Sequence, residues 1–346
     1  MKHIFPPIRN NFSVDKVNTG RQREVDLARG FAVLFMIWVH VLEVFAEYLV
    51  QDSAFGVVIE FLGGPPAAPV FMLLMGISIA YSRQNTPKNL IWRGFKILLL
   101  GYALNILREI VPLYIGLEGG LLSKYDLLPY TWLTLLLQVD ILQFAGIALI
   151  FIGVLQALNI NRWLYLPIAL IFAILNPFVW EIQSGIHWLD LFLDLLWGVD
   201  YYIFFPFMTW IIYPLVGVVI GDLLIRAKDK RIFYRYMLAL GLSLLVLGTV
   251  IVITDPDFHL GDYYRHAIGS QLWMTGFVLT WWSALFFLTA RFSNPKMIIM
   301  RMTFWSKHVT SLYFIHWVII GWSVLLLGYE SISLPGILLL MALFTV

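Results

Sequence analysis

The sequence predicts an all-α fold, a polytopic integral membrane helical bundle of about ten transmembrane helices with its N-terminus in the cytoplasm. Three observations lead there. Of 346 residues, 60% are hydrophobic and only 13% are charged, against about a quarter charged in a soluble domain. The mean hydropathy is +0.83. Lys and Arg collect in alternate connections between the apolar runs. A chain with so little polar surface cannot coat a water-soluble body, so lipid is its solvent.

Residues 1–25 form a polar tail holding Lys2, Arg9, Lys16, Arg21 and Arg23. The tail has no short apolar segment with a small-residue cleavage site, so the first hydrophobic helix is expected to remain as an anchor. Residues 26–346 then read as a single transmembrane domain. Its spans are predicted at 27–49, 56–82, 90–112, 131–157, 163–180, 201–225, 235–254, 269–290, 304–327 and 334–346.

Sidedness follows from charge. One set of connections carries Arg83, Lys88 and Arg93; Arg162; Arg226, Lys228, Lys230 and Arg231; and Arg291, Lys296 and Arg301. The alternate set is mostly acidic, with Asp52, Glu118, Asp190, Asp194, Asp255, Asp257, Asp262 and Glu330. Basic residues stay on the cytoplasmic side, so every connection agrees with one topology. Segments 113–130 and 181–200 are expected to form amphipathic helices at the opposite interface. No internal repeat is evident, which counts against a transporter built from duplicated halves.

The net charge is +2 and there are no cysteines. The absence of a concentrated basic face excludes nucleic acid as a partner. The absence of thiols excludes disulfides, thiolate metal sites and cysteine nucleophiles.

Ionisable groups inside hydrocarbon cost roughly 2.5–3.5 kcal/mol each on insertion scales, so each calls for a reason. Asp26, Arg29, His40, Glu43 and Glu47 share an arc of roughly 100° on the first helix. That stripe must face protein, water or a ligand. His40 lies about 16 Å along the helix from Arg29, near mid-bilayer. A neutral imidazole there can take a proton from an acceptor hydroxyl or amine, with Glu43 or Asp26 to orient it. The alternative is a packed histidine bonded to a backbone carbonyl. His316 sits at a similar depth in a late helix, where it is a second catalytic candidate or a helix tie. Asp140 falls near the middle of the fourth span, and Asn105 and Arg108 on the preceding helix could pair with it. That group reads either as a buried ion pair or as a substrate contact.

The run Gly63-Gly64-Pro65-Pro66-Ala67-Ala68-Pro69 enters or interrupts the second span. A break there is tolerated only beside protein or a water-filled cavity. Arg83, Lys88, Arg93 and Lys96 could hold the phosphates of a nucleotide-like donor, and the positive-inside bias explains them equally well. Met72, Met75 and the fourteen tryptophans read as bilayer packing and interface belts.

Five stretches resemble known proteins. Arg23-Glu24-Val25-Asp26-Leu27-Ala28-Arg29-Gly30 followed by His40 resembles the arginine–histidine signature that opens membrane-bound acyltransferase-3 proteins. Pro65 to Ser82, Gln138 to Gln143, and Phe204-Phe205-Pro206 through Gly221-Asp222 resemble the heparan-alpha-glucosaminide N-acetyltransferase group. Phe304 to Trp317 is similar to a late helix of the same transmembrane acyltransferase superfamily. The resemblance implies a bundle that binds acyl-CoA, acetyl-CoA above all, from the cytoplasm and passes the acyl group to a sugar or lipid-linked acceptor outside. Arg29 and His40 would carry the donor-site and catalytic roles. In one departure, residues 50–68 hold no histidine, whereas the lysosomal enzyme places one near its first lumenal loop.

The reading is therefore an acyl-CoA-dependent O- or N-acyltransferase that requires no metal. It would sit multi-pass in a prokaryotic plasma membrane among its lipids, and a homodimer is a compatible assembly. His40, Glu43, Asp26 and His316 are the catalytic candidates. Arg29, Arg83, Arg93 and Lys96 are the donor-site candidates, and Asp140, Asn105 and Arg108 would meet substrate. The rival reading is a transporter or exporter that uses the polar stripe as a permeation path.

Overall fold

A computed structural model describes residues 11–82, 84–123, 128–180, 182–198, 200–291 and 296–345. Among the described residues the regular structure is helical, with isolated backbone bridges and no strand. Seven helices are long and apolar enough to cross a membrane, and three shorter apolar helices accompany them. The chain is a multi-pass membrane protein.

In chain order the principal helices are α1 (Arg23–Phe45), α2 (Ala54–Gly63), α3 (Ala68–Tyr81), α4 (Pro87–Glu118), α5 (Trp132–Leu137), α6 (Ile141–Ala157) and α7 (Tyr165–Val179). They continue with α8 (His187–Trp197), α9 (Phe207–Arg226), α10 (Lys230–Thr254), α11 (Ile268–Arg291), α12 (Lys296–Lys307), α13 (Val309–Leu327) and α14 (Leu334–Thr345). Each predicted span has its helix, with three differences. Residues 113–118 continue α4 rather than forming an interfacial helix. The fourth span is broken between α5 and α6, and the ninth is two helices that meet at His308. Segment 181–200 does contain a helix, α8, whose Asp194 is buried and accepts from the Tyr202 hydroxyl at 2.7 Å.

Connections group by charge set. At the basic end the Ser13 N–H donates to the Arg226 carbonyl at 2.9 Å and the Asn18 amide to the Leu224 carbonyl at 3.2 Å. Lys230 pairs with Glu24, and Arg162 with Asp222, each at 2.5 Å. At the opposite end the Glu47 N–H donates to the Ile332 carbonyl at 3.0 Å and the Tyr201 hydroxyl to the Pro129 carbonyl at 2.9 Å.

Lipid is as apolar as leucine, so helices in a bilayer associate through close backbone approach more than through burial. At the centre, α3 packs on α9 in this way. A Cβ on Gly76 would lie 2.2 Å from the Pro214 carbonyl oxygen, and one on Gly217 would lie 2.1 Å from that of Leu73. Leu240, Leu247, Val250 and Ile253 of α10 are exposed and form its lipid-facing side.

Candidate active site

Two broken helices and one widened turn build the site. The second span breaks at residues 64–67, where the proline and glycine run stops α2 and starts α3. The fourth breaks at Gln138–Asp140, and several of the freed backbone groups find partners, as membrane depth favours. The Val139 N–H donates to the Tyr202 carbonyl and the Val139 carbonyl accepts from the Phe204 N–H, both at 2.9 Å. The Asn105 amide donates to the Leu136 and Gln138 carbonyls at 3.0 and 2.8 Å. Asp140 then caps α6, accepting from the Ile141 N–H at 2.6 Å, with Gln143 bonding back. In α4, a π-helical turn at Ile106–Ile110 carries Arg108. Such turns widen the helix and often occur at functional sites. Gly321 of α13 lets the Arg108 backbone approach, since a Cβ there would lie 2.0 Å from the Arg108 carbonyl oxygen.

These elements enclose two chambers. The one toward the basic end holds about 380 Å³ and is lined by Arg29, Ser78, Ser82, Arg93 and Thr310. The other holds about 400 Å³, lined by His40, Glu43, Glu60, Arg108, Asp140 and Trp317 on its polar side and by Tyr263, Tyr264, Phe204 and Phe205. Met36, Phe71, Ile141 and Tyr313 line both and form the wall between them.

In the basic-end chamber, Arg29 donates to the Ser78 hydroxyl at 2.5 Å and to the Leu74 carbonyl at 3.3 Å. Asp26 lies in the same region and not beside His40. It pairs with Arg21 at 2.5 Å and accepts from the Ser306 hydroxyl at 2.8 Å.

In the other chamber, His40 Nδ1 lies 2.9 Å from His316 Nε2, with the rings 6° from parallel. His316 Nδ1 lies 2.9 Å from the Leu312 carbonyl oxygen. A carbonyl only accepts, so His316 Nδ1 bears its hydrogen. A neutral imidazole has one N–H, so His316 Nε2 is an acceptor and His40 Nδ1 must donate to it. His40 Nε2 is left with its lone pair. The Trp317 ring stands 4.3 Å from the His40 ring and 4.4 Å from the Arg108 guanidinium carbon. Arg108 pairs with Asp140 at 2.7 Å, the guanidinium fully buried. The arrangement offers a proton acceptor, His40 Nε2, beside rigid walls and two exposed carboxylates, Glu43 and Glu60. It is equipped for proton transfer at a bound hydroxyl or amine.

Over residues 21–251 the chain matches the family described as heparan-alpha-glucosaminide N-acetyltransferase, catalytic. The chain belongs to this family. It is thus a transferase of a membrane acetyltransferase family. No curated protein matches the chain in sequence.

The matched stretch includes Arg29, His40, Arg108 and Asp140 of the transferase, while Tyr313, His316 and Trp317 lie beyond it. The structure brings together His40, Glu43, Arg108 and Asp140 in one chamber, with His316 behind His40, and Arg29 with Arg93 in the other. It does not bring in Lys96, whose ammonium lies over the Trp92 ring at 5.3 Å on an exposed face. Asn105 is fully buried and ties the helix break rather than facing a chamber. Arg83 lies outside the described residues. Sequence reasoning missed Tyr313 and Trp317 as wall residues of the site, Glu60, and the aromatic pair Tyr263 and Tyr264. Among the described residues no group of three His, Asp or Glu side chains could hold a metal ion.

Proposed function

We propose that the chain moves an acyl group, most simply acetyl, from an acyl-CoA entering the basic-end chamber to a hydroxyl or amine acceptor in the other. Arg29 and Arg93 supply guanidinium charge for the donor's phosphates, with Ser78, Ser82 and Thr310 as hydrogen-bond partners. The acyl end of the donor reaches the wall at Tyr313, and the acceptor lies against the aromatic side of the second chamber, a surface suited to a sugar ring. His40 Nε2 takes the acceptor's proton as its heteroatom attacks the thioester carbon. The leaving thiolate of CoA then receives a proton from the imidazolium. Holding both reactants at one wall supplies part of the rate by orientation alone.

The observation that carries this reading is the bond between His40 Nδ1 and His316 Nε2 at 2.9 Å, anchored by the Leu312 carbonyl. It fixes His40 in the tautomer a general base needs. The basic end is the cytoplasmic face in this reading, in line with the placement of Lys and Arg.

The test is purified protein in detergent, given acetyl-CoA and mixed amine and hydroxyl sugars, with free CoA followed. Acceptor-dependent CoA release that is lost in His40→Ala is the expected result. Absence of release, together with no thermal shift on adding CoA, would point to the transporter reading instead.

A further inference from the structure

Two hydrogen-bond donors in the wall of the site make no well-formed hydrogen bond, only weak interactions with each other and with Asp140. They are the Tyr313 hydroxyl and the Trp317 indole N–H, both buried. They stand four residues apart on α13, so they lie on one face of it, one turn apart. Tyr313 is 4% exposed and lines both chambers; Trp317 lines the chamber that holds His40. A buried donor without a well-formed bond is costly in the ground state, so the pair asks for an acceptor that arrives with a ligand.

The nearest acceptor, the Asp140 carboxylate, is close enough to interact with the Tyr313 hydroxyl but is shared with two closer donors. Asp140, the carboxylate whose charge acts on Tyr313, gives one oxygen to the Ile141 N–H at 2.6 Å and the other to Arg108 at 2.7 Å. His316 Nε2 is taken by His40. The indole also packs against the His40 ring and the Arg108 guanidinium. A fixed donor adjoining the proton acceptor, and a second one turn away in the dividing wall, form a preorganised pair.

We infer that the Tyr313 hydroxyl and the Trp317 indole N–H bind the thioester carbonyl oxygen of the donor and hold the oxyanion formed from it. The inference rests on the proposed acyl transfer. In the step, the acceptor oxygen or nitrogen bonds to the carbonyl carbon while its proton passes to His40 Nε2. The carbonyl electron pair moves onto oxygen, between the two donors. Collapse restores the C=O bond and breaks the C–S bond, and CoA leaves with the proton returned by His40. Both donors then act on the atom where negative charge develops, and His40 alone handles the proton.

Tyr313→Phe removes a single oxygen and keeps the ring. With acetyl-CoA and an accepted substrate, kcat is expected to fall about 100-fold, with the KM for the donor changed far less. A second arm needs no turnover. It uses a ketone analogue of acetyl-CoA, in which a methylene replaces sulfur, beside CoA itself. Tyr313→Phe is expected to bind the ketone about ten-fold more weakly than the parent and to bind CoA equally. Trp317→Phe, which keeps an aromatic ring against His40 and loses the N–H, is measured in parallel and decides the matter if Tyr313→Phe does not fold. Unchanged ketone binding in a folded variant, or a kcat within two-fold of the parent, overturns the inference. A parent protein that releases no CoA from acetyl-CoA would overturn the acyl-transfer reading instead, and the ketone-to-CoA comparison separates the two failures.

Discussion

His40 and His316, on helices that are distant in sequence, meet through a single 2.9 Å contact between Nδ1 and Nε2. The Leu312 carbonyl fixes the direction of that bond, because it can only accept from His316 Nδ1. In the proposed reaction His316 would be a positioning residue, which sets the tautomer of His40 without touching the reactants. His316→Ala leaves the His40 ring free to rotate and to carry its hydrogen on the wrong nitrogen. The expected effect is a fall in kcat of about 100-fold with little change in KM. His316→Gln, whose amide oxygen can accept from His40 Nδ1, should recover part of the loss. Steady-state kinetics on the three proteins, corrected for folded fraction, checks this; equal loss in both variants would reduce His316 to a packing role.

Arg108 and Asp140 form a buried pair at 2.7 Å. Removing one partner strands the other's charge, which in buried pairs costs about 3–5 kcal/mol, whereas replacing both with apolar residues of similar volume is often near neutral. Asp140→Asn should therefore lower the unfolding temperature in detergent far more than the double change Arg108→Met with Asp140→Leu. A double change more destabilising than Asp140→Asn would mean that the α6 cap, which Asn keeps and Leu loses, is what Asp140 contributes.

The two chambers assign different work to the basic residues. Arg29 and Arg93 line the chamber toward the basic end, whereas Lys96 lies over Trp92 on an exposed face. Arg29→Gln and Arg93→Gln should each raise the KM for acyl-CoA about ten-fold. Lys96→Gln should leave it unchanged. A donor KM that responds to Lys96 and not to Arg29 would relocate the donor site.

His266, in the connection between α10 and α11, is 1% exposed. Its Nδ1 donates to the Tyr263 carbonyl at 2.7 Å and its Nε2 accepts from the Tyr213 hydroxyl at 2.9 Å. Burial disfavours the imidazolium and lowers the pKa to about 4, against about 6.5 in an unfolded chain. Between those values the unfolded chain binds a proton that the native state refuses. Stability therefore falls as pH drops from about 6.5 to about 4, by on the order of 3 kcal/mol, and is flat above that window. Thermal unfolding across pH 4–8 should show this slope, and His266→Gln should flatten it.

Much of the fold was legible because hydropathy acts on every span independently. The break at Gly63 to Pro69 was legible too, since proline and glycine cannot continue a helix. The break at Gln138–Asp140 was not. Its flanks, Trp132–Leu137 and Ile141–Ala157, are apolar on both sides with no proline between, so they read as one span. What opens the chain there is tertiary: the bridge from Val139 to segment 202–205 and the Asn105 amide. The same limit applies to the site. His40 and His316 could be placed at equal depth, but which helices adjoin is a property of the assembled bundle. Asp26 shares the stripe of His40, yet about 21 Å of helix separates them and Arg21 captures its carboxylate. Trp317 reads with the other tryptophans as a bilayer aromatic and Tyr313 draws no reading, because nothing in their spacing distinguishes a wall donor from a lipid anchor.

In the proposed transfer, donor and acceptor reach one wall from opposite faces of the membrane. Proteoliposomes with an amine sugar trapped inside, given acetyl-CoA only outside, test it most directly. The account predicts acetylated sugar inside, an equal amount of free CoA outside and no CoA in the lumen. Acetyl-CoA or CoA found inside, or product formed only when both reactants share one side, would contradict it.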